Sequence, residues 1–577
     1  MGDATVRRVF SRAEAAAVFL VTCPAVAIIL AFGGDSIGLS LHPIPTLVLS
    51  IAAAGALTSA LARQVGRAVS DDVLAFAAVV GVVAAWLLWL AWPHLLPISS
   101  GSDLTHHLLL VDYIERSQRL VMDPALRPYL GDMIDYSPGF HVLAVLAGAW
   151  TRTSGLQAVY PVIALSVALK TGFIFLIARR SGQRLPHALV APLLLFLPVG
   201  YFLGSFTHDS FLAQVASEFF AVAMWWAIIS WDQQPGPLLA ALIGILGVAA
   251  YLTWPVWLGP IIVTLVAVAW LHRDHPRRDR LAHLAIAVVP IVAIAIFQSA
   301  RRLGAASNMA GASGFALTPT LEAMGWLLPA AGMVGAVAAV RDRRARTVPI
   351  LLAAILLQAA AFYVIARANH ADAPYLTLKT FYLAIYPLAV GGAIAAAALE
   401  RSAKACPERA RPSTGSGRAS RRSSRSVEVA NGARGFNRAS GPAWLLVALA
   451  LIPVVRLVRS TPRATPVVSH ELLDAGRWAR THVPPACVDY LVADDDSAYW
   501  LHLVVLGNPR TTARSLASDT FEPQKAVVRW ILPGGLPYAI ASDFEALPRD
   551  IRESVNTLAR FGRAAVIKRR GESSCAS

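Results

Sequence analysis

Charge is scarce in this chain. Asp, Glu, Lys and Arg make up 15% of the 577 residues, against 56% apolar ones, and the mean hydropathy is +0.55. A soluble domain of that composition would have too little polar surface to face water. Cysteine is rarer still, with four in all. Cys23 falls in an apolar segment and Cys406 in a basic one. Cys487 and Cys575 stand near the two ends of the C-terminal region, where an external compartment would permit a disulfide that spacing alone does not establish. No P-loop, GxGxxG or CxxC sequence occurs, which argues against nucleotide chemistry in the cytoplasm. No residues have strong metal-ligand spacing. No internal repeat is evident, as many transporters would require.

Long apolar runs are what the chain does have. A bilayer core takes about 20 apolar residues per helix. Thirteen stretches qualify: 14–32, 44–62, 73–96, 157–178, 186–203, 210–230, 237–253, 255–271, 281–299, 322–340, 348–366, 380–399 and 443–458. The first follows Arg7, Arg8 and Arg12 and reads as a signal anchor that stays in place. With the N-terminus in the cytoplasm, the loops 1–13, 63–72, 179–185, 231–236, 272–280, 341–347 and 400–442 face inward and hold 26 Lys/Arg. The outward loops before the last helix hold 8. That asymmetry sets an orientation. The net charge of +16 then belongs to loops facing an anionic leaflet and gives no sign of a nucleic-acid partner. Residues 139–150 are too short to span, so they read as a re-entrant or interfacial helix in a long external loop, 97–156.

The expected fold is mainly α: a polytopic α-helical membrane protein of about 13 transmembrane helices with a small C-terminal extracytoplasmic α/β domain. Residues 1–399 form the membrane body. Residues 400–442, with 10 Lys/Arg against 3 Glu and few large apolar residues, read as a disordered cytoplasmic linker. Residues 443–458 are the last span. Residues 459–577, with 15 Lys/Arg and 13 Asp/Glu, read as the external domain. There a helix is expected at 471–482, a strand at 487–493, a helix at 497–506 and a strand at 564–568.

The loop 97–156 is the richest in chemistry. Its opening reads as an amphipathic helix capped by Ser102 or Asp103, with Leu104, Leu108, Val111 and Ile114 as its apolar stripe. Asp103 and His107 share a face. His106 and His107, being adjacent, point apart and do not make a two-histidine metal box. Asp132, Asp135, Tyr136 and His141 follow. A carboxylate at an interface is a candidate general base. Asp209, in Thr207-His208-Asp209, is a second outward carboxylate, whose plain alternative is a helix cap. Glu218 and Lys170 are each predicted inside spans and are expected to pair. Arg301, Arg302, Arg367 and Lys379 are the scarce outward cations, placed to meet a phosphate or simply to snorkel. Arg367 and Lys379 bracket a short loop that also holds His370 and Asp372.

Ser102-Asp103-Leu104-Thr105-His106-His107, Tyr136-Ser137-Pro138-Gly139-Phe140-His141, Ala178-Arg179-Arg180 and Tyr375-Leu376-Thr377-Leu378-Lys379-Thr380-Phe381-Tyr382, with Pro387 after it, resemble the GT-C superfamily of polytopic membrane glycosyltransferases. The superfamily's frequent Asp-Glu or Glu-Asp pair is absent, and two extra helices precede the loop that bears Asp103. The resemblance implies a polyprenyl-phosphate sugar donor and a glycan, lipid or protein acceptor. It implies an inverting transfer with Asp103 as the base. It implies substrate contacts from His106, His107, Asp135, Tyr136, His141, Asp209, Arg367, His370 and Lys379. No cofactor is required, and the chemistry admits a divalent metal. The expected location is the inner (cytoplasmic) membrane of a bacterium, amid membrane lipids. The competing readings are a transporter or flippase of lipid-linked sugars and a polysaccharide polymerase or ligase.

Overall fold

The computed structural model describes residues 10–63, 71–92, 102–120, 130–301, 316–371, 374–409, 441–461, 468–492, 494–505, 523–532 and 535–571. The side chains of Asp103, Asp132 and Arg301, the residues Arg302, Asp372 and Cys575, and the linker 410–440 lie outside that description. Each of the thirteen apolar stretches carries helix. Eight helices among the described residues are long and apolar enough to cross a membrane, which makes the chain an integral membrane protein by length and composition.

In chain order the membrane body runs α1 (Arg12–Ser36), α2 (Pro43–Ala62), α3 (Asp71–Ala91), α4 (Ser102–Ser117), α5 (Gly139–Thr151), α6 (Gly155–Arg180), α7 (Leu185–Leu194) and α8 (Leu212–Gln233). It continues through α9 (Pro237–Thr253), α10 (Leu258–Leu271), α11 (Arg277–Arg301), α12 (Leu327–Ala339), α13 (Thr347–Ala368), α14 (Tyr375–Thr380), α15 (Ile385–Arg409) and α16 (Gly441–Ser460). The stretch 186–203 is not one continuous helix. Pro192 and Pro198 lack backbone donors. The α-helix ends at Leu194, and a π-helical turn, Gly200–Gly204, follows. Likewise α14 passes through a 3₁₀ turn, Phe381–Ala384, before α15.

Small residues let the backbones touch. A Cβ added at Gly335 in α12 would overlap the carbonyl of Gly391 in α15. Gly139, the first residue of α5, has the Thr253 hydroxyl and the Leu252 carbonyl 2.6 and 2.8 Å from where its Cβ would stand. The start of α5 is thus wedged against the end of α9.

The 26 residues of α6 rise about 39 Å, so its two ends lie on opposite faces of the body. At its first residue, the Gly155 amide donates to Glu115 Oε1 of α4 at 3.0 Å. At its last, Arg180 is buried against Glu14, which also closes a capping box with Ser11 at the start of α1. On that far face Asp232 accepts from Arg346 and pairs with His272, and Arg179 meets Asp72. The face that carries α4 is therefore opposite the face that holds the Arg180–Glu14 and Arg346–Asp232 pairs.

The C-terminal unit begins with α17 (His470–His482) and holds β1 (Val488–Leu491), α18 (Asp495–Trp500), α19 (Pro523–Ile531), β2 (Tyr538–Ala541), α20 (Arg549–Ser554), β3 (Val555–Phe561) and β4 (Ala564–Arg569). The sheet order is β1-β2-β4-β3, with β1 and β2 parallel and the other pairs antiparallel. A parallel pair needs a long crossover, here the segment holding α18 and α19. The expected helix 497–506 is α18 followed by a π-helical turn, Leu501–Val505. Leu472, Leu473, Ala475 and Ala479 bury one face of α17. Cys487 is disulfide-bonded.

Candidate functional site

The α4 helix lies across the top of α5 and α6. Its helical backbone starts at Ser102, so Asp103 stands inside the first turn instead of preceding it as a cap. A carboxylate there is favoured by the helix dipole. One turn on, His107 is buried. Its Nδ1 lies 2.9 Å from Nε2 of His141, the third residue of α5. The rings are stacked, with centroids 5.1 Å apart. Tyr136 sets its ring edge-on to both, at 5.3 and 5.7 Å, and tilts against Trp254, at the α9–α10 break, at 5.8 Å. The Tyr136-to-His141 sequence folds this way because Pro138 and Gly139 start α5 immediately after a 3₁₀ turn, Gly131–Asp135. That brings Tyr136 and His141 together across the helix start.

Thirteen residues rise only about 20 Å, so α5 does not span. Burial lowers the His107 pKa well below the usual imidazole value, reinforced by His141, His106 and Lys379. Burial likewise pushes His141 down to about 3, outweighing the carbonyls of Pro138 and Ser137. Both rings are neutral at neutral pH, and one donates to the other.

Lys379 reaches the same place from the far end of the chain. Its charge acts on His107. It is buried in α14, and its Nζ lies over the faces of Phe211, Tyr375 and Tyr382. The Tyr382 ring packs against Tyr201, tilted by 55° with centroids 4.6 Å apart. Asp209 lies within electrostatic reach of Tyr382. It does not cap α8, whose cap is Phe211. Its Oδ1 pairs with His208 Nδ1 at 2.7 Å, and Ser210, at φ 58°, turns the chain into α8.

The structure thus brings His107, Tyr136 and His141 into contact, with Lys379 within electrostatic reach of His107 and Asp209 within that of Tyr382. His106 is half-buried beside them, and Asp135 ends the turn that precedes Tyr136. Arg367 and His370 stand exposed at the end of α13 and make no described contact with the cluster. Among the described residues no three His, Cys, Asp or Glu side chains gather as a metal site.

No family model matches the chain, and no curated protein does. Among solved structures it is similar to ArnT from Cupriavidus metallidurans bound to undecaprenyl phosphate, with 17% identity over 87% of this chain and 98% of that one and a TM-score of 0.46. It is also similar to the Archaeoglobus fulgidus oligosaccharyltransferase in the apo form, with 14% identity over 82% of this chain and 70% of that one and a TM-score of 0.41.

Behind the cluster, Lys170 of α6 and Glu218 of α8 pair, as expected for buried charges in a membrane. Tyr386 and Gln214 complete the carboxylate's hydrogen bonds. The backbone carbonyl of Gln214 accepts from Trp257 Nε1 at 3.1 Å, beside the Trp254 break. Nothing in the sequence marks Phe211 and Tyr201 as parts of the site. Both read in sequence as ordinary apolar residues of membrane helices.

Proposed function

We propose that this protein is an integral-membrane glycosyltransferase that moves a sugar from a polyprenyl-phosphate carrier to a glycan, lipid or protein acceptor. The observation that supports this best is the packing of α4 on the Tyr136-to-His141 stretch with Lys379, more than 200 residues further along, within electrostatic reach. A lipid-linked sugar phosphate needs a cation at headgroup depth, aromatic faces for the sugar and a carboxylate near the anomeric carbon. Lys379, Tyr136 with Trp254, and the backbone position of Asp103 supply that set.

In the proposed step the carboxylate of Asp103 takes the proton of an acceptor hydroxyl. The hydroxyl oxygen forms its bond to the anomeric carbon as the bond from that carbon to the carrier phosphate breaks. The configuration inverts, and polyprenyl phosphate leaves with the electron pair, its charge met by Lys379. His107 and His141, both neutral, hydrogen-bond without adding charge. The charge asymmetry of the loops supports placing the α4 face on the external side, in this reading that of a bacterial inner membrane.

Binding of undecaprenyl phosphate to the purified full chain tests the reading. Lys379→Met, which keeps the packed stem and removes the charge, is expected to weaken it about tenfold to a hundredfold, the usual size of a hydrogen bond to a charged group, at matched folded protein. An unchanged affinity would contradict it.

A further inference from the structure

The membrane body and the C-terminal unit meet at a charged contact on α4. Arg480, in the last turn of α17, sends Nη1 and Nη2 to the two carboxylate oxygens of Asp112, each at 2.9 Å. The two residues are 368 positions apart. Their side chains are only 15% and 10% exposed. Arg116, one turn along α4, adds Nε to the same carboxylate at 3.0 Å. A turn earlier on α17, Arg477 acts electrostatically on Glu115, whose Oε1 holds the first amide of α6. Arg480 and Asp112 form the direct pair across the contact, and Arg477 adds a favourable charge near Glu115.

This contact lies away from the cluster. Asp103 and Asp112 are nine residues apart, about two and a half turns, on opposite sides of α4. One side of the helix serves the site and the other is gripped by α17. The grip is stiff, because α17 is itself wedged into its own unit: a Cβ at Gly476 would overlap Val505. Planar, two-pronged pairing fixes orientation as well as distance.

We infer that Arg480 and Asp112 are positioning residues, which hold α4 from the C-terminal unit so that Asp103 and His107 stand in register with Lys379. This rests on the proposed transferase reading. It assigns the C-terminal unit a part in the chemistry without contact with the reacting atoms.

The test uses the full chain in nanodiscs, with Arg480→Ala, Arg480→Lys and the exchanged pair Asp112→Arg with Arg480→Asp. Hydrogen exchange over residues 102–117 is expected to speed up in Arg480→Ala, less in Arg480→Lys, and to recover only in part in the exchanged pair, where Arg116 loses its partner. Undecaprenyl phosphate affinity should stay within about twofold of wild type, while turnover of polyprenyl-phosphate sugars, measured over a panel of pentoses and hexoses, falls by up to about 10²-fold, as displacement by an ångström can cause. Unchanged exchange over α4 in Arg480→Ala overturns the inference. So does unchanged turnover per folded molecule, or an equal loss of binding and turnover. If wild type turns over none of the panel, the transferase reading fails, and the positioning role in that reaction is overturned with it. The exchange arm still tells whether α17 holds α4.

Discussion

The two histidines beneath α4 carry a pH signature. The pKa of each lies below the ordinary 6.5 in the folded protein, that of His141 at about 3. As pH falls below 6.5 the unfolded chain binds protons that the folded rings refuse. Stability is therefore undiminished above about 6.5 and declines from there toward 3, by at most about 1.4 kcal/mol per pH unit per ring. Thermal melting from pH 8 to pH 4 should show this slope. In His141→Gln, which cannot titrate, the slope should flatten while the melting temperature at pH 8 drops. An identical slope in the variant would rule out His141 as its source. Adjacency of His106 and His107 in the sequence excluded a joint metal site, but it could not say which ring turns inward. His107 does, because it shares the buried side of α4 with Leu104, Leu108 and Val111.

Among elements, α6 and α8 carry the most consequential pair, Lys170 and Glu218. Both side chains are fully buried. Removing one partner strands the other charge, which costs about 3–5 kcal/mol in buried pairs. Glu218→Gln should therefore lower the melting temperature sharply, and Glu218→Gln with Lys170→Met should regain most of the loss. A double variant no better than the single one would mean that Tyr386 and Gln214 carry the stabilisation instead. This pairing could be read in the sequence, since two opposite charges inside apolar spans have few other solutions. The break in 186–203 was legible in Pro192 and Pro198, yet the length of the apolar run outweighed them. The Asp112–Arg480 contact left no trace in sequence. Each residue looks like ordinary helix-surface charge, and only the docking of α17 on α4 brings them together.

For the whole molecule, the alternation of basic and charge-poor loops implies a cytoplasmic linker 400–442 and a C-terminal unit on the other side. Alkaline phosphatase fused at Ser413 should be inactive, and fused at Ser497 active. The reverse would invert the assignment of the α4 face. Architecture was legible in the apolar runs, and the C-terminal unit only in part. Four of its elements are legible in outline, while α19, β2, α20 and β3 are not; β3, an edge strand exposed over most of its length, carries little apolar pattern. The central claim is that this assembly transfers a sugar from a polyprenyl phosphate with Asp103 as base. The most direct test is transfer by purified wild type and Asp103→Asn from the same panel of polyprenyl-phosphate sugars, at matched folded protein. Asparagine keeps the size and polarity of the side chain but accepts no proton. The account predicts turnover by wild type and a loss of about 10²–10⁴-fold in the variant. Near wild-type transfer by Asp103→Asn would contradict it.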